Sequence, residues 1–374
     1  MKISSRQLMS SLEYLPELNA PNLGADLVIV HGNPYSLEQP RLLENLCAAF
    51  PNASIAGCSS SGEIMNGETY ENSIVYSAIE FEHSRVRQSR VSITNDQEDE
   101  FAAGKLLANN LLDDELAFVI VFSEGLGIDC DEVLKGANEV FGGAIPLIGG
   151  LAADNNAFDY TVVMDREGTY DDAVIAVGIY GNRIKINTAM SSFDQVGIEV
   201  DITSTEGNIV HQLNHKPVLD VYKELVFKQI DYEIDFIMSH PLVILDAESK
   251  RVMYCRTIFD YDLENGAVLT AGSVPQGPAK IISLIDSSNI VADINHTCEK
   301  LIDQEAEFAF VISCTSRKEP MGSEWIKESK FIQECLGNTP SLGFYSFGEI
   351  GRHVQADPAV VHNHTLTIAT IIET

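Results

Sequence analysis

One phrase is written twice in this chain, as Gly57-Cys-Ser-Ser-Ser-Gly-Glu63-Ile64 and as Gly343-Phe-Tyr-Ser-Phe-Gly-Glu349-Ile350; both read G-x-x-S-x-G-E-I. Each follows a short apolar run. A looser copy, Gly149-Gly-Leu-Ala-Ala-Asp154-Asn155, follows another. A phrase repeated at the turn after a strand marks equivalent backbone corners of one repeated unit, and a repeat constrains the architecture more than any local propensity. Corners of this kind can converge on a common pocket.

The stretches leading to the three corners share a script. The first predicts a helix over Ser5–Leu15 stopped by Pro16, a strand at Leu27–His31, a helix over Leu37–Phe50 with Leu42, Leu43, Leu46 and Phe50 on one face, and a short strand before Gly57. The second predicts a helix over Glu98–Leu112, a strand at Ala117–Phe122, a helix over Asp129–Phe141 and a strand before Gly149. The third has a helix over Ile290–Ile302, a strand at Phe308–Ile312, a helix over Trp325–Leu336 and a closing strand at Val361–Ile371. Each strand–helix–strand core reads as a crossover unit. The interval between the second and third corners is roughly double that between the first and second; the excess holds Asp201–Ile285, rich in strand patterns. The fold class expected is therefore α/β: repeated helix–strand–helix–strand units forming mixed sheets flanked by helices, with a strand-rich insertion. Two domains are expected, 1–206 and 207–374.

The chain has 374 residues and a formal charge of -31, from 55 acidic against 24 basic side chains. That excess repels nucleic acid, whose binding draws on phosphate neutralisation by Lys and Arg, and anionic membrane surfaces for the same reason. No apolar run reaches the roughly 20 residues that span a bilayer, and the N-terminus carries no export-signal pattern. The seven cysteines are odd in number and form no C-x-x-C. Zinc and a secreted disulfide framework are disfavoured, so most of the thiols are expected to be reduced and packed in the core of a cytoplasmic protein.

The corners resemble a phosphate loop until the position where lysine would stand; Glu63 and Glu349 stand there instead and repel anions. Their glycines then serve a positive φ or a close backbone approach. Cys58 and the serines from Ser59 onward could be nucleophiles on a tight turn, but no base lies nearby in sequence. His31 ends an apolar strand and His240 interrupts one, so either can be a core histidine or a single proximal ligand to haem iron. Haem would need cations for its propionates, and Arg251, Arg256, Lys280 and Arg352 are candidates; an arginine among the strands of an acidic chain is more readily an ion-pair partner. His362 and His364 flank Asn363 on one strand face.

Taken in order, GCSSSGEI, PLIGGLAADN and LGFYSFGEIGR with the terminal HNHTLTIATI resemble the FIST family over nearly the whole chain. The resemblance implies a sensory module with an N-terminal and a C-terminal FIST domain, and motif positions at Gly57, Cys58, Gly62, Glu63, Gly149, Gly150, Asp154, Gly343, Gly348, Glu349 and Asn363. It implies small ligands, with amino acids proposed, or haem in the NosP nitric-oxide sensors, which act on a partner histidine kinase. The expectation is a freestanding cytoplasmic sensor without catalytic activity, regulating a histidine kinase or another signalling output protein, with a homo-oligomer allowed for. The leading ligand is haem on His240 or His31. The alternative is an organic ligand held by Cys58, Ser59, Glu63, Asp154, Asn155, Arg256, Tyr345, Glu349 and Asn363. For an amino acid, Asp154, Glu63 or Glu349 would take the ammonium, and Arg256 or backbone N–H groups the carboxylate. A hydrolase using Cys58 or a nearby serine is the rival from another class.

Overall fold

The computed structural model describes residues 1–9, 24–94, 99–191, 193, 197–226, 237–284, 287–301, 305–354 and 357–374. Three six-stranded sheets share one plan. In the first, the order is Lys2–Met9, Ser73–Glu80, Leu27–Gly32, Ser54–Ser59, Val163–Asp165 and Thr169–Tyr170. The middle pair, Leu27–Gly32 and Ser54–Ser59, runs parallel and is joined by a crossover containing the helix Pro40–Ala49. In the second sheet the parallel pair is Leu116–Ser123 with Leu147–Leu151, joined through the helix Cys130–Phe141. In the third it is Phe308–Cys314 with Ser341–Ser346, joined through the helix Glu328–Leu336. These parallel strands are buried on both faces, which is why they read as continuous apolar runs.

The strands after each corner leave the sheet of their own unit. Glu63–Met65, after the first corner, pairs with Ser341–Ser346 of the third sheet. Glu349–Gly351, after the third, pairs with Leu147–Leu151 of the second. Val163–Asp165, after the second, pairs with Ser54–Ser59 of the first. The exchange is cyclic, so no unit completes its sheet alone. The inner faces share one core, to which Ile29, Phe122, Phe310 and Phe344 contribute. Helices cover the outer faces through Leu42 and Leu46, through Val133 and Leu134, and through Ile294 and Ile332. Local signals agree with this plan: Asp129 caps Cys130–Phe141 at its start, and Gly142, at φ 62°, ends it.

The three corner glycines have a common cause. A Cβ at Gly57, Gly149 or Gly343 would lie 1.8 Å from the carbonyl oxygen of Val30, Val121 or Val311, the residue paired with it on the parallel neighbour. Close backbone approach explains all three; Gly149 also has φ +152°.

The strand-rich insertion is an eight-stranded sheet built from Ile198–Glu206 through Gly277–Ile281, with the helix Val218–Leu225 against it. It interrupts the third unit, between the edge strand Ile184–Met190 and the helix Ser287–Glu299.

Two expectations are corrected. Lys2–Met9 is a strand, paired residue for residue with Ser73–Glu80, where a helix from Ser5 was expected; the remainder of that helix, from residue 10, lies outside the described residues. Sheet pairing outweighs the local pattern here. Most cysteines were expected to be reduced, and five are free, but Cys298 and Cys335 are joined in a disulfide across two helices. Sequence spacing could not show this, since 37 residues separate them. Among the described residues no helix is long and apolar enough to cross a membrane.

Candidate functional site

Cyclic exchange brings the three corners together. The amide of Ser61 donates to Tyr345 O at 2.9 Å, and the amide of Tyr345 donates to Gly62 O at 2.9 Å, joining the first corner to the third. Ala153 N–H donates to Ser59 O and Asn155 N–H to Ser61 Oγ, joining the second to the first. Leu151 N–H donates to Gly348 O, closing the ring between second and third.

A solvent-open cleft of about 240 Å³ lies where the first corner meets the second. Ser60, Ser61, Gly62 and Glu63 form one wall, and Asp154, Asn155, Asp159 and Tyr160 another. Asn33, Pro34 and Tyr35 begin the helical turn after the first central strand and supply a third side, with Glu71 at the edge. The loop opposite the first corner is held in an unusual shape: Asn155, Asn156 and Phe158 have φ of 60°, 63° and 52°. The Asp154 carboxylate stabilises it by accepting the amides of Phe158, Asp159 and Tyr160 at 3.0, 2.7 and 3.1 Å.

Two titratable groups influence each other at the first corner. Glu63 is buried and accepts Ser60 Oγ–H and Ser73 Oγ–H, each at 2.8 Å. Burial pushes its pKa up to about 7, against the pull of those hydrogen bonds and of Lys318. Lys318, in the short helix Lys318–Met321 after the third central strand, donates to Ser61 O and to Asn155 Oδ1. Its ammonium sits 3.9 Å over the Trp325 ring and 3.8 Å from Glu71. Burial lowers its pKa to about 8, opposed by Glu71 and Glu63.

Of the residues chosen from sequence, Glu63, Asp154 and Asn155 line this cleft. Cys58 and Ser59 stand behind it, fully buried. Burial raises the Cys58 thiol well above its ordinary range, and Ser59 Oγ accepts the Val162 amide, so neither is presented as a nucleophile. Tyr345 backs Gly62, its hydroxyl donating to Trp325 O at 3.4 Å. Glu349 repeats the Glu63 arrangement in the third unit: it accepts Ser346 Oγ–H at 2.6 Å and the Thr365 amide at 3.0 Å, wholly buried, with its pKa pushed by burial to about 8. Asn363 accepts the Thr257 amide and donates to Phe347 O.

Arg256 is not the expected carboxylate holder. It is 1% exposed, paired with Asp131 at 2.5 Å, bonded to Val361 O at 2.6 Å and stacked on Tyr254, and it fastens the inserted sheet to the second unit. Lys318, which sequence reasoning missed, is a cation that reaches the cleft lining, at Ser61 O and Asn155 Oδ1. The available signal was its place in the turn directly after an apolar strand, where the first unit has Asn33-Pro34-Tyr35.

The residues do not fit haem at His31. Its ring is fully buried, 4.2 Å from Phe344 and 5.6 to 5.9 Å from Phe122 and Phe310, with Nδ1 at 3.3 Å from Cys58 O. Burial lowers its pKa to about 3. Those rings take the space a macrocycle would need beside Nε2. His240 is buried beside the inserted sheet, with Nδ1 3.2 Å from Ser239 Oγ, and does not line the cleft. The cleft itself presents Glu63, Glu71, Asp154 and Asp159, a poor match for two propionates. Among the described residues no group of three or more His, Cys, Asp and Glu is placed to hold a metal ion.

Residues 26–216 match the FIST N domain and residues 219–352 the FIST C domain. An uncharacterised protein of Methanocaldococcus jannaschii is 23% identical over 258 residues, covering 61% of this chain and 49% of that protein. An uncharacterised protein of Mycobacterium bovis is 23% identical over 217 residues, covering 54% of this chain and 55% of its own. The chain thus spans about half the length of the curated relatives it matches. Among solved structures, cyanuric acid hydrolase from A. caulinodans aligns over 99% of this chain and 98% of its own, with a TM-score of 0.40 and 7% identity. A second cyanuric acid hydrolase structure aligns over 100% of this chain and 99% of its own, at 0.36 and 8%.

Proposed function

This chain belongs to the FIST family, whose domains serve sensing and signal transduction, and we propose that the cleft between its first and second corners is the ligand-sensing site. The observation that carries this reading is an open cleft at the junction of the corners, lined by Glu63 and Glu71 and flanked by Lys318, which bonds Ser61 O and Asn155 Oδ1 of its lining.

The ligand class that suits this pair is a small zwitterion such as an amino acid. Its ammonium is drawn to Glu63 and Glu71, and its carboxylate to Lys318, which is cationic below about pH 8. Tyr35 and Tyr160 supply apolar flanks. Such a ligand touches two corners and the third unit at once, so it favours whichever packing brings them closest. The shift it can produce is limited by its differential affinity for the two packings. A histidine kinase or another signalling output protein reads that difference.

The test is a thermal-shift screen of amino acids on the purified protein, followed by calorimetry on the hits. At least one amino acid is expected to bind, and Lys318→Met to weaken it tenfold or more. Affinity is expected to be highest between about pH 7 and 8, where Glu63 is ionised and Lys318 still holds its proton. A panel with no hits, or a Lys318→Met protein that binds as tightly as wild type, removes this reading. Hemin added to the same preparation is expected to keep the spectrum of free hemin; a sharp Soret band that shifts with nitric oxide would favour haem instead.

A further inference from the structure

The helices Ser287–Glu299 and Glu328–Leu336 lie side by side on the outer face of the third sheet. Cys298 and Cys335 meet between them, with Cα atoms 6.0 Å apart, inside the range a disulfide requires. Cys298 is buried and Cys335 half-buried, so a small reagent reaches Cys335 first. The loop closed by this bond contains the whole Lys318–Trp325 segment, from which Lys318 reaches Ser61 O and Asn155 Oδ1 of the cleft lining. Directly before Cys335 on the chain, Ser329 donates to Gly67 O, Glu328 accepts Arg317 Nε–H at 2.8 Å, and Trp325 packs against Tyr345. A shift of the Glu328–Leu336 helix therefore moves the group over which Lys318 is stacked.

We propose that Cys298–Cys335 is a reversible thiol–disulfide site through which low-molecular-weight disulfides and thiols set the position of the Lys318–Trp325 segment beside the cleft. In the oxidising direction the Cys335 thiolate attacks a sulfur of the small disulfide. Its S–S bond breaks and one small thiol leaves with a proton. The Cys298 thiolate then attacks the mixed disulfide at the Cys335 sulfur, forming the protein disulfide and releasing the second small thiol. Two cysteine thiols are oxidised, one small disulfide is reduced to two thiols, and the protons pass to those thiols. An excess of small thiol runs the exchange backwards.

Four of the remaining cysteines, Cys58, Cys130, Cys255 and Cys314, are buried, and burial raises each thiol's pKa. Cys47 is half-buried and has no sulfur partner, so it serves as the internal control for simple mixed-disulfide formation.

The chain supplies its own reporter, since Trp325 is its one tryptophan. The intact protein is equilibrated in buffers of graded reduced and oxidised glutathione, acid-quenched, alkylated under denaturing conditions and weighed. Seven alkyl groups are expected at the reducing end and five at the oxidising end, with the two lost mapping to Cys298 and Cys335. Trp325 emission is expected to shift along the same titration and to be flat in Cys335→Ser. Seven groups throughout, or loss only at Cys47 with a glutathione added, overturns the site. Paired thiols with unchanged Trp325 emission overturn the coupling to the Lys318–Trp325 segment. The consequence for ligand affinity rests on the reading of the cleft: an emission shift that leaves amino-acid binding unaltered leaves the redox site standing and counts against that reading. Cys298→Ala/Cys335→Ala, which removes both thiols, shows whether the protein folds without the bond.

Discussion

Gly57→Ala is expected to destabilise the protein by more than about 3 kcal/mol, although it adds one methyl group. The new carbon would stand 1.8 Å from Val30 O and 2.8 Å from Val30 C. Both are backbone atoms of the central strand, so no rotamer change relieves the overlap, and the parallel pair of Leu27–Gly32 with Ser54–Ser59 must separate. The same substitution at Gly343 meets Val311 O at 1.8 Å, and at Gly149 it meets Val121 O at 1.8 Å with the added burden of φ +152°. Three similar losses are therefore expected from positions far apart in sequence. Gly24→Ala is the control: nothing lies within 4 Å and its φ is ordinary, so the change is expected to stay within about 0.5 kcal/mol. Urea denaturation of the four variants measures this. A Gly57→Ala protein with wild-type stability would mean that the corners are not the tight strand contacts described here.

Those glycines also show what was legible in the sequence. The corner phrase could be read because a steric requirement of the backbone is met by one residue type, wherever the repeat places it. The central strands were legible as apolar runs, and so was a helix over Asp129–Phe141, which the structure has at Cys130–Phe141. The cyclic exchange was not legible: Glu63–Met65 looks the same in sequence whether it pairs at home or across the molecule. Arg256 misled for a related reason. An arginine in an acidic chain needs a partner, and only three-dimensional pairing shows that Asp131 takes that place. Lys318 was overlooked because its importance comes from neighbours 257 residues away at Ser61 and 163 away at Asn155. Cys298 and Cys335 are of the same kind, each unremarkable until two helices lie alongside.

Stability is expected to fall as pH rises from about 6 to 9, by an amount on the order of 3 kcal/mol, and Glu349→Gln is expected to abolish most of that fall. Glu349 in the folded chain holds its proton to about pH 8, against an ordinary value of 4.5, because burial penalises the carboxylate more than Ser346, Thr365 and Arg317 favour it. The sign follows from this. Below about pH 4.5 both folded and unfolded forms carry the proton and the contribution is fully present. Between there and about pH 8 only the unfolded form has released it, so each step upward in pH favours unfolding. Glu63, raised to about 7, adds in the same direction. His31 and His364, both lowered to about 3, act on the acid side: their contribution is lost as pH falls below 6.5. Glutamine keeps the shape, can accept the Thr365 amide and can donate to Ser346 Oγ, so the variant should match wild type near pH 5 and exceed it near pH 9. The second unit contains the comparison already made. Strand register places Val163 where the other units have Glu63 and Glu349, and Ala152 and Ala173 where they have Ser60 with Ser73 and Ser346 with Thr365. The polar triplet is replaced as a set, as expected when a partly satisfied buried carboxylate is worse than an apolar core. Ser346→Ala/Glu349→Val/Thr365→Ala should therefore be more stable at pH 9 than Ser346→Ala alone, and the reverse order, read from urea denaturation curves, would show that burial is not what governs this glutamate.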